Sequence, residues 1–288
     1  MTVGSEAGRG DREHARNWLQ VASKVGFALL VLIVIGATIA PVYFMVSLSV
    51  MDPSEFFRPH PAYFPSRFTN QWWERVLNST TLYPAFMKSL VVASVTTVIA
   101  VAVSVPGAYA ISRMAPKVKY FLILSLFFTR MYPEIGIALP IAVLFLRLGM
   151  YESIPGLVLA HLILVLPVCA WILVGAFETI PRDLEEASAV DGAGRLGTLW
   201  RVVIPLAAPG ISVAAIFSWL LSWDEVTYAR FLTLLHPTLP IQILDIIGRS
   251  GPTVVATWAT IVTIPVVIVT YLMQRWLRAD YLAGAVKG

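Results

Sequence analysis

Charged residues are scarce in this 288-residue chain: Asp, Glu, Lys and Arg make up only 13%, whereas hydrophobic residues make up 58%. A soluble domain usually carries about 25% charged residues, so the shortage argues against a water-soluble fold. The single cysteine, Cys169, excludes an internal disulfide. The sequence therefore indicates a protein that buries most of its length in a lipid bilayer.

Several motifs of enzymes and nucleotide-binding proteins are also missing. The dipeptide Gly-Lys never occurs, which excludes a Walker A loop, and neither H-E-x-x-H nor G-x-S-x-G is present. Gly192–Gly197 matches the dinucleotide pattern G-x-G-x-x-G, but a helix-like stretch precedes it and an apolar run follows it, where the pattern requires a strand and a later acidic residue. We therefore expect no bound cofactor, no metal and no catalytic residue in this chain.

Long uncharged runs are what the chain has instead. Five of them hold at least 22 residues, against the roughly 20 that a helix needs to cross about 30 Å of hydrocarbon. These runs are Val25–Met51, Ser89–Ser112, Ser153–Phe177, Val202–Trp223 and Ser250–Gln274. Lys119–Arg147 is a sixth candidate, interrupted by Arg130 and Glu134. The sequence predicts an all-α bundle of six transmembrane helices.

The basic residues lie unevenly around these spans. With a cytoplasmic N-terminus, thirteen Lys and Arg residues fall on the cytoplasmic side and six on the opposite side, which is a positive-inside bias. They flank spans rather than form a patch, which indicates contact with lipid and not with nucleic acid. We expect a multi-pass protein of a bacterial-type plasma membrane, with a membrane domain at 25–275 and cytoplasmic tails at 1–24 and 276–288.

The polar loop at 178–205 has the pattern of a short helix–turn–helix. Pro181 suits the first turn of a helix, and the acidic residues that follow favour the positive end of the helix dipole. Gly192 provides a stop, because glycine readily adopts the left-handed conformation that ends helices. Helical spacing resumes at Arg195 and leads to Pro205, which opens the next span. This spacing puts four apolar residues on one side of the segment: Leu196, Leu199, Trp200 and Val203. Alternatively, the loop is an amphipathic segment that lies on the bilayer.

Two charges interrupt the third span. A charge at mid-bilayer costs on the order of 2.5–3.5 kcal/mol, so Arg130 and Glu134 should not face lipid. Spaced four apart, they share a helical face and can pair. Three interpretations stay open: an ion pair buried against other helices, a polar contact in a transport path, or a span boundary that lies elsewhere.

Aromatic and acidic residues end the fifth span. Aromatic rings and carboxylates suit a sugar, since its C–H surface stacks on rings and its hydroxyls donate hydrogen bonds. An interfacial anchor is an equal alternative for Trp223 and Tyr228. The residues predicted to face a substrate pathway are Arg130, Glu134, Trp219, Trp223, Asp224 and Glu225.

The loop also resembles the signature segment of the permease subunits of ABC importers, E-A-A, three residues, G, nine residues, I-x-L-P. Glu186, Ala187 and Gly192 match this segment, and Ser188 stands in place of the second alanine. Val202–Pro205 corresponds to I-x-L-P, with conservative changes at the first and third positions. The resemblance covers roughly residues 20–288. It is greatest to the second permease subunit of maltose-type carbohydrate importers.

This resemblance implies that Glu186–Gly192 forms a coupling helix, seated in a cleft of a cytoplasmic ATPase that holds ATP and Mg. The implied coupling residues are Glu185, Glu186, Ala187, Ser188, Asp191, Gly192 and Pro205, with Lys287 and Gly288 of the C-terminal tail. The implied partners are a homologous permease, two copies of the ATPase and an extracytoplasmic solute-binding protein. The implied cargo is a di- or oligosaccharide.

Other functions remain alternatives to sugar import. The cargo of such a permease could instead be a polyol, a glycerol phosphate or an amino acid. A secondary transporter would need no ATPase, and an intramembrane enzyme would need a converged Ser/His or acidic pair, which does not stand out here.

Overall fold

A computed structural model describes residues 7–56 and 64–277 as helices joined by short loops, with no strand in this part of the chain. The helices are α1 (Ala7–Ser49), α2 (Pro53–Phe56), α3 (Gln71–Leu77), α4 (Leu82–Ser112), α5 (Pro116–Phe128), α6 (Glu134–Arg147), α7 (Ile154–Glu178), α8 (Arg182–Val190), α9 (Arg195–Thr198), α10 (Ile204–Trp223), α11 (Thr227–Leu232), α12 (Leu239–Ile246) and α13 (Pro252–Leu277). A π-helical turn, Leu199–Val203, joins α9 to α10. The predicted all-α membrane bundle is confirmed.

Five helical segments in the described residues are long and apolar enough to cross a bilayer. They are Ala22–Ser49, Leu82–Ser112, Ile154–Glu178, Arg195–Trp223 and Pro252–Met273. Each overlaps one of the five uncharged runs. The absence of formal charge over 22 or more residues was therefore sufficient to locate these five segments.

The candidate third span, Lys119–Arg147, does not form one helix. It divides into α5 and α6, with Arg130 in the turn between them. Pro133 accounts for the break, because proline has no N–H for the helical ladder and disfavours the helical conformation at the residue before it. The expectation that Arg130 and Glu134 share one helical face was wrong, since only Glu134 belongs to a helix.

The core of the bundle consists of α4, α7 and α10. Small side chains on one face of α4 allow close packing, and Thr96, Ala100 and Ala108 are fully buried there. On the facing surfaces of α10 and α7, Gly210 lies directly against Ala176. At the other end of the same pair, His161 Nδ1 of α7 lies 2.8 Å from Ser222 Oγ of α10. These contacts make α7 and α10 antiparallel.

By contrast, α4 and α7 run in the same direction. At their C-terminal ends, Arg113 Nη1 donates to the carbonyl of Phe177 at 3.0 Å. At their N-terminal ends, Lys88 Nζ lies 3.7 Å from Glu152 Oε2. Because α4 ends at one end of the bundle and α7 begins at the other, the segment between them must run back along the length of both helices. The pair α5 and α6 is that segment.

The outermost pair consists of α1 and α13. Thr257 Oγ1 of α13 donates to the carbonyl of Ser49 at 3.5 Å, and Thr263 Oγ1 lies 3.9 Å from Met45 Sδ. Elsewhere along α1, large apolar side chains such as Phe27 and Leu32 are exposed. Exposed apolar side chains on a membrane helix are available to lipid or to another membrane subunit.

Candidate functional site

A cavity of about 680 Å³ opens beside the break between α5 and α6. The cavity lies between α6, α7, α10, α13 and the segment after α10. Its lining residues include Arg130, Glu134, Leu164, Trp223, Asp224 and Val262. Five of the six residues predicted to face a substrate pathway line this one cavity, although they lie almost 100 positions apart in the chain. The sixth, Trp219, is not among the lining residues and stacks on Trp223.

Arg130 and Glu134 form a polar link across the cavity wall. Arg130 Nη1 donates to the carbonyl of Leu164 at 2.7 Å, and its Nη2 lies 3.8 Å from Glu134 Oε1. Glu134 Oε2 accepts a hydrogen bond from Thr227 Oγ1 at 3.3 Å. The predicted pairing of the two charges is confirmed. Both side chains also stay partly exposed to the cavity, so pairing and a place beside a pathway are compatible.

The two tryptophans of α10 are buried rather than spread along a membrane interface. The rings of Trp219 and Trp223 stack with centroids 4.8 Å apart, and Phe86 meets Trp223 edge-on at 5.9 Å. Trp219 Nε1 donates to Ser94 Oγ at 3.4 Å. Trp223 and Tyr228 are each only 2% exposed, which leaves little of either ring for lipid headgroups.

Glu225 has a buried partner that the sequence did not reveal. Its Oε2 lies 3.2 Å from His161 Nε2, and both side chains are 2% exposed. The same carboxylate accepts the backbone N–H groups of Tyr228 at 2.6 Å and Ala229 at 3.0 Å, at the start of α11. Glu225 therefore fixes the first turn of α11 to α7, while its neighbour Asp224 remains exposed.

At the opposite end of the bundle, α8 and the turn after it match the predicted helix–turn–helix. Helix α8 begins at Arg182, one residue after Pro181, and carries acidic residues in its first turn. Gly192 has φ +84°, the left-handed conformation expected at this stop. Ser188 Oγ and Thr198 Oγ1 lie 3.0 Å apart and join α8 to α9. Pro205 lies in the first turn of α10, as predicted.

Arg113 anchors this loop to the bundle. Its guanidinium pairs with the Glu185 carboxylate, and Nη2 donates to the carbonyl of Ile180 at 3.3 Å. Tyr109 Oη donates to Glu185 Oε2 at 2.7 Å. Helix α8 is thus joined to the ends of both α4 and α7. Sequence reasoning missed Arg113, because nothing in a single chain indicates that residues 72 positions apart form a pair.

The outward face of the loop is apolar and uncovered. Val190 is 88% exposed, and Leu184, Leu196 and Trp200 are exposed as well. Glu186, Ala187 and Asp191 are exposed beside them. The two remaining predicted coupling residues, Lys287 and Gly288, lie outside the described residues. An exposed apolar tip flanked by acidic residues is a typical protein-binding surface.

A carboxylate holds one loop at the other end of the bundle, between α11 and α12. Glu152 Oε1 accepts the backbone N–H groups of Leu234 and, at 2.6 Å, Leu235. Glu152 has φ +58°, a conformation that L-residues rarely adopt. Burial raises the pKa of Glu152, but these two N–H donors and the charge of Lys88 outweigh burial and hold it below its usual value.

Glu152→Gln is expected to loosen this loop. Hydrogen bonds to a charged acceptor contribute about 1.5–3 kcal/mol, so amide exchange at Leu234 and Leu235 should become at least about tenfold faster. Because the pKa of Glu152 is lowered, the protection in the unmodified chain should persist at neutral pH and disappear only as the pH falls below the ordinary glutamate value of 4.5. Hydrogen–deuterium exchange measures both effects. Glu74→Gln, an exposed change in α3, should leave these amides unaffected.

The comparisons with known proteins decide the family. Residues 15–281 match the model of the family described as "binding-protein-dependent transport system inner membrane component". The chain belongs to this family. It is therefore a membrane-embedded permease component of an ABC transport system, as the signature loop predicted.

Two relatives and one solved structure show the extent of the similarity. The chain is 31% identical to the trehalose transport system permease protein SugB of Mycobacterium tuberculosis, over 91% of this chain and 97% of that protein. It is 30% identical to the trehalose/maltose transport system permease protein MalG of Thermococcus litoralis, over 90% and 97%. A chain of a bacterial ABC transporter involved in the import of the acidic polysaccharide alginate superposes with a TM-score of 0.70 at 23% identity, over 89% and 96%. That structure supports the fold.

Proposed function

We propose that this permease forms half of the membrane pathway of an ATP-driven sugar importer and that its cargo is a neutral di- or oligosaccharide. The names of the two relatives support a sugar. The cavity beside α6 supports a pathway, because it brings Arg130, Glu134 and Asp224 to one polar opening within an apolar bundle. In this proposal the importer contains a homologous permease, two ATPase subunits and an extracytoplasmic binding protein.

The chain crosses the membrane six times in this proposal, with α5 and α6 together making the third crossing. The parallel arrangement of α4 and α7 supports this count, since the chain must return between them. At about 1.5 Å per residue, the 13 residues of α5 and the 14 of α6 have the combined length of a full crossing. The positive-inside bias then puts α8 and the tails at 1–24 and 276–288 in the cytoplasm.

We infer that α8 is the coupling helix. The observation that carries this inference is the combination of an exposed apolar tip with an anchor: Val190 is uncovered, while Arg113 and Glu185 join the same helix to α4 and α7. A helix fixed in this way moves as a rigid body with the bundle. A displacement imposed on the tip by an ATPase would therefore reach the helices that surround the cavity.

Glu186→Arg tests the coupling role. Glu186 is exposed, so the substitution should leave the bundle folded while it reverses a charge at the proposed ATPase contact. We expect the variant to lose co-purifying ATPase and to reduce trehalose- or maltose-dependent uptake at least about tenfold, since a like-charge contact costs several kcal/mol at an interface. Co-purification and uptake into vesicles containing the whole assembly measure the two effects.

Glu74→Arg is the matched control, because it makes the same change on the other side of the membrane and should retain both activities. Uptake by vesicles that contain this chain alone, without an ATPase, would contradict the proposal and favour a secondary transporter. Uptake of an amino acid instead of either sugar would be consistent with an ATP-driven importer but would contradict the proposed sugar cargo.

A further inference from the structure

The charges around the cavity do not balance. Three carboxylates line it, those of Glu134, Asp224 and Glu225, against the single guanidinium of Arg130. Arg130 is paired with Glu134, and the Glu225 carboxylate lies against His161 and accepts two backbone N–H groups. Asp224 forms no ion pair with any residue that the structure describes. Its charge therefore remains uncompensated at the cavity surface.

A hydrogen-bond donor without a partner is buried in the wall of the cavity. Trp223 lines the cavity and is 2% exposed, and its Nε1–H has no partner among the described residues. A buried N–H without a partner costs about 1–3 kcal/mol.

The position of the cavity fits a binding site in a transporter. It lies beside a break between two half-length helices, and interrupted helices at membrane depth are tolerated where they border a polar cavity. Apolar side chains, among them Phe217, Leu220 and Val266, form most of the remaining wall. A few polar groups on an apolar wall are the usual composition of a small-molecule site.

We propose that this cavity binds neutral, hydroxyl-rich solutes and repels anionic ones, with Asp224 as the residue that sets this charge selection. Sugar hydroxyls donate to the Asp224 carboxylate. A phosphate or carboxylate on the solute meets the uncompensated charge of Asp224 at close range. The proposal deepens the proposed function, on which it rests.

Charged thiol reagents can measure the local charge without any transport. Cys169 is buried and is replaced by alanine; Val262→Cys then introduces a thiol in the cavity wall. We compare the modification rates by a trimethylammonium and by a sulfonate methanethiosulfonate. The ratio of the cationic to the anionic rate should be at least about tenfold higher than for Thr80→Cys, an exposed position between α3 and α4.

Asp224→Asn should lower this ratio at position 262 by about threefold or more and leave the ratio at position 80 unchanged. Glu134→Gln is a second variant, which should lower the ratio at position 262 less, because it also releases Arg130. Equal ratios at the two positions, or no response to Asp224→Asn, would overturn the charge selection.

Protection by two sugars tests binding. Trehalose should slow modification at position 262, and trehalose 6-phosphate should slow it less, with the difference reduced in Asp224→Asn. Equal slowing by both sugars, or none by trehalose, overturns the assignment of the cavity as a site for neutral sugars. The two proposals can fail separately. If the proposed function is wrong, no ATPase will co-purify with the chain, whereas the modification rates need only the full chain and do not depend on an ATPase.

Discussion

Gly210→Ala should lower the stability of the bundle by about 1–3 kcal/mol, the usual cost of overpacking a close-packed core. A methyl group at position 210 of α10 would lie 2.2 Å from Ala176 Cβ and 3.5 Å from Ala176 Cα of α7. Ala176 has no flexible side chain that can move aside. The two helices must therefore separate, and the packing of both against α4 must change. Thermal unfolding in detergent, followed by tryptophan fluorescence, measures the loss.

Gly175→Ala is the matched control. Gly175 lies beside Ala176 on α7, but apart from its chain neighbours and the backbone of its own helix, no atom lies within 4 Å of the position that its Cβ would occupy. Because alanine has the higher helix propensity by about 1 kcal/mol, this variant should be as stable as the original chain or slightly more stable. Equal destabilisation by both substitutions would show that glycine is needed for backbone reasons and would contradict close contact at Gly210.

The properties of the chain that follow from local sequence were predictable. Uncharged runs located five membrane helices, since a hydrocarbon environment demands an apolar segment of fixed length. Gly192 marked the end of α8, because few other residues adopt its backbone conformation. The signature loop identified the family from a few positions. Each of these signals lies within some 30 consecutive residues.

The broken third span was only half predicted. The cost of Arg130 and Glu134 in lipid showed that the segment was unusual, and a boundary elsewhere was one of the open interpretations. The signal for the break was Pro133, which lies between the two charges. Proline within a membrane helix is often tolerated, as in α4, α7 and α13 of this chain. The residue type therefore could not distinguish a bend from a break.

Contacts between distant residues were not predictable from one sequence. Arg113 looked like any basic residue at a cytoplasmic helix end, and its pairing with Glu185 depends on α4 and α7 ending together. One expected face was also wrong: Leu199 and Val203 are buried, whereas Leu196 and Trp200 are exposed. The π-helical turn before Pro205 shifts the helical register there, because its N–H groups bond five residues back instead of four.

His161→Leu should also lower the stability of the bundle, by about 1–3 kcal/mol, the cost of leaving a buried polar group without its side-chain partner. Glu225 is 2% exposed beside His161, so water cannot replace the lost contact. The backbone N–H groups of Tyr228 and Ala229 would still hold one side of the carboxylate. The first turn of α11 should loosen, and with it the wall of the cavity. Unfolding by SDS titration measures the loss.

His236→Leu is the matched control, since His236 is 72% exposed and its 3.8 Å contact with Glu152 is worth at most about 1 kcal/mol. Adding Glu225→Gln to His161→Leu should recover part of the stability, because the amide removes the buried charge and its oxygen still accepts from α11. Such recovery is the non-additivity expected of two residues in contact. If His161→Leu costs no more than His236→Leu, or if the second substitution only adds to the loss, the pair does not hold α11 to α7.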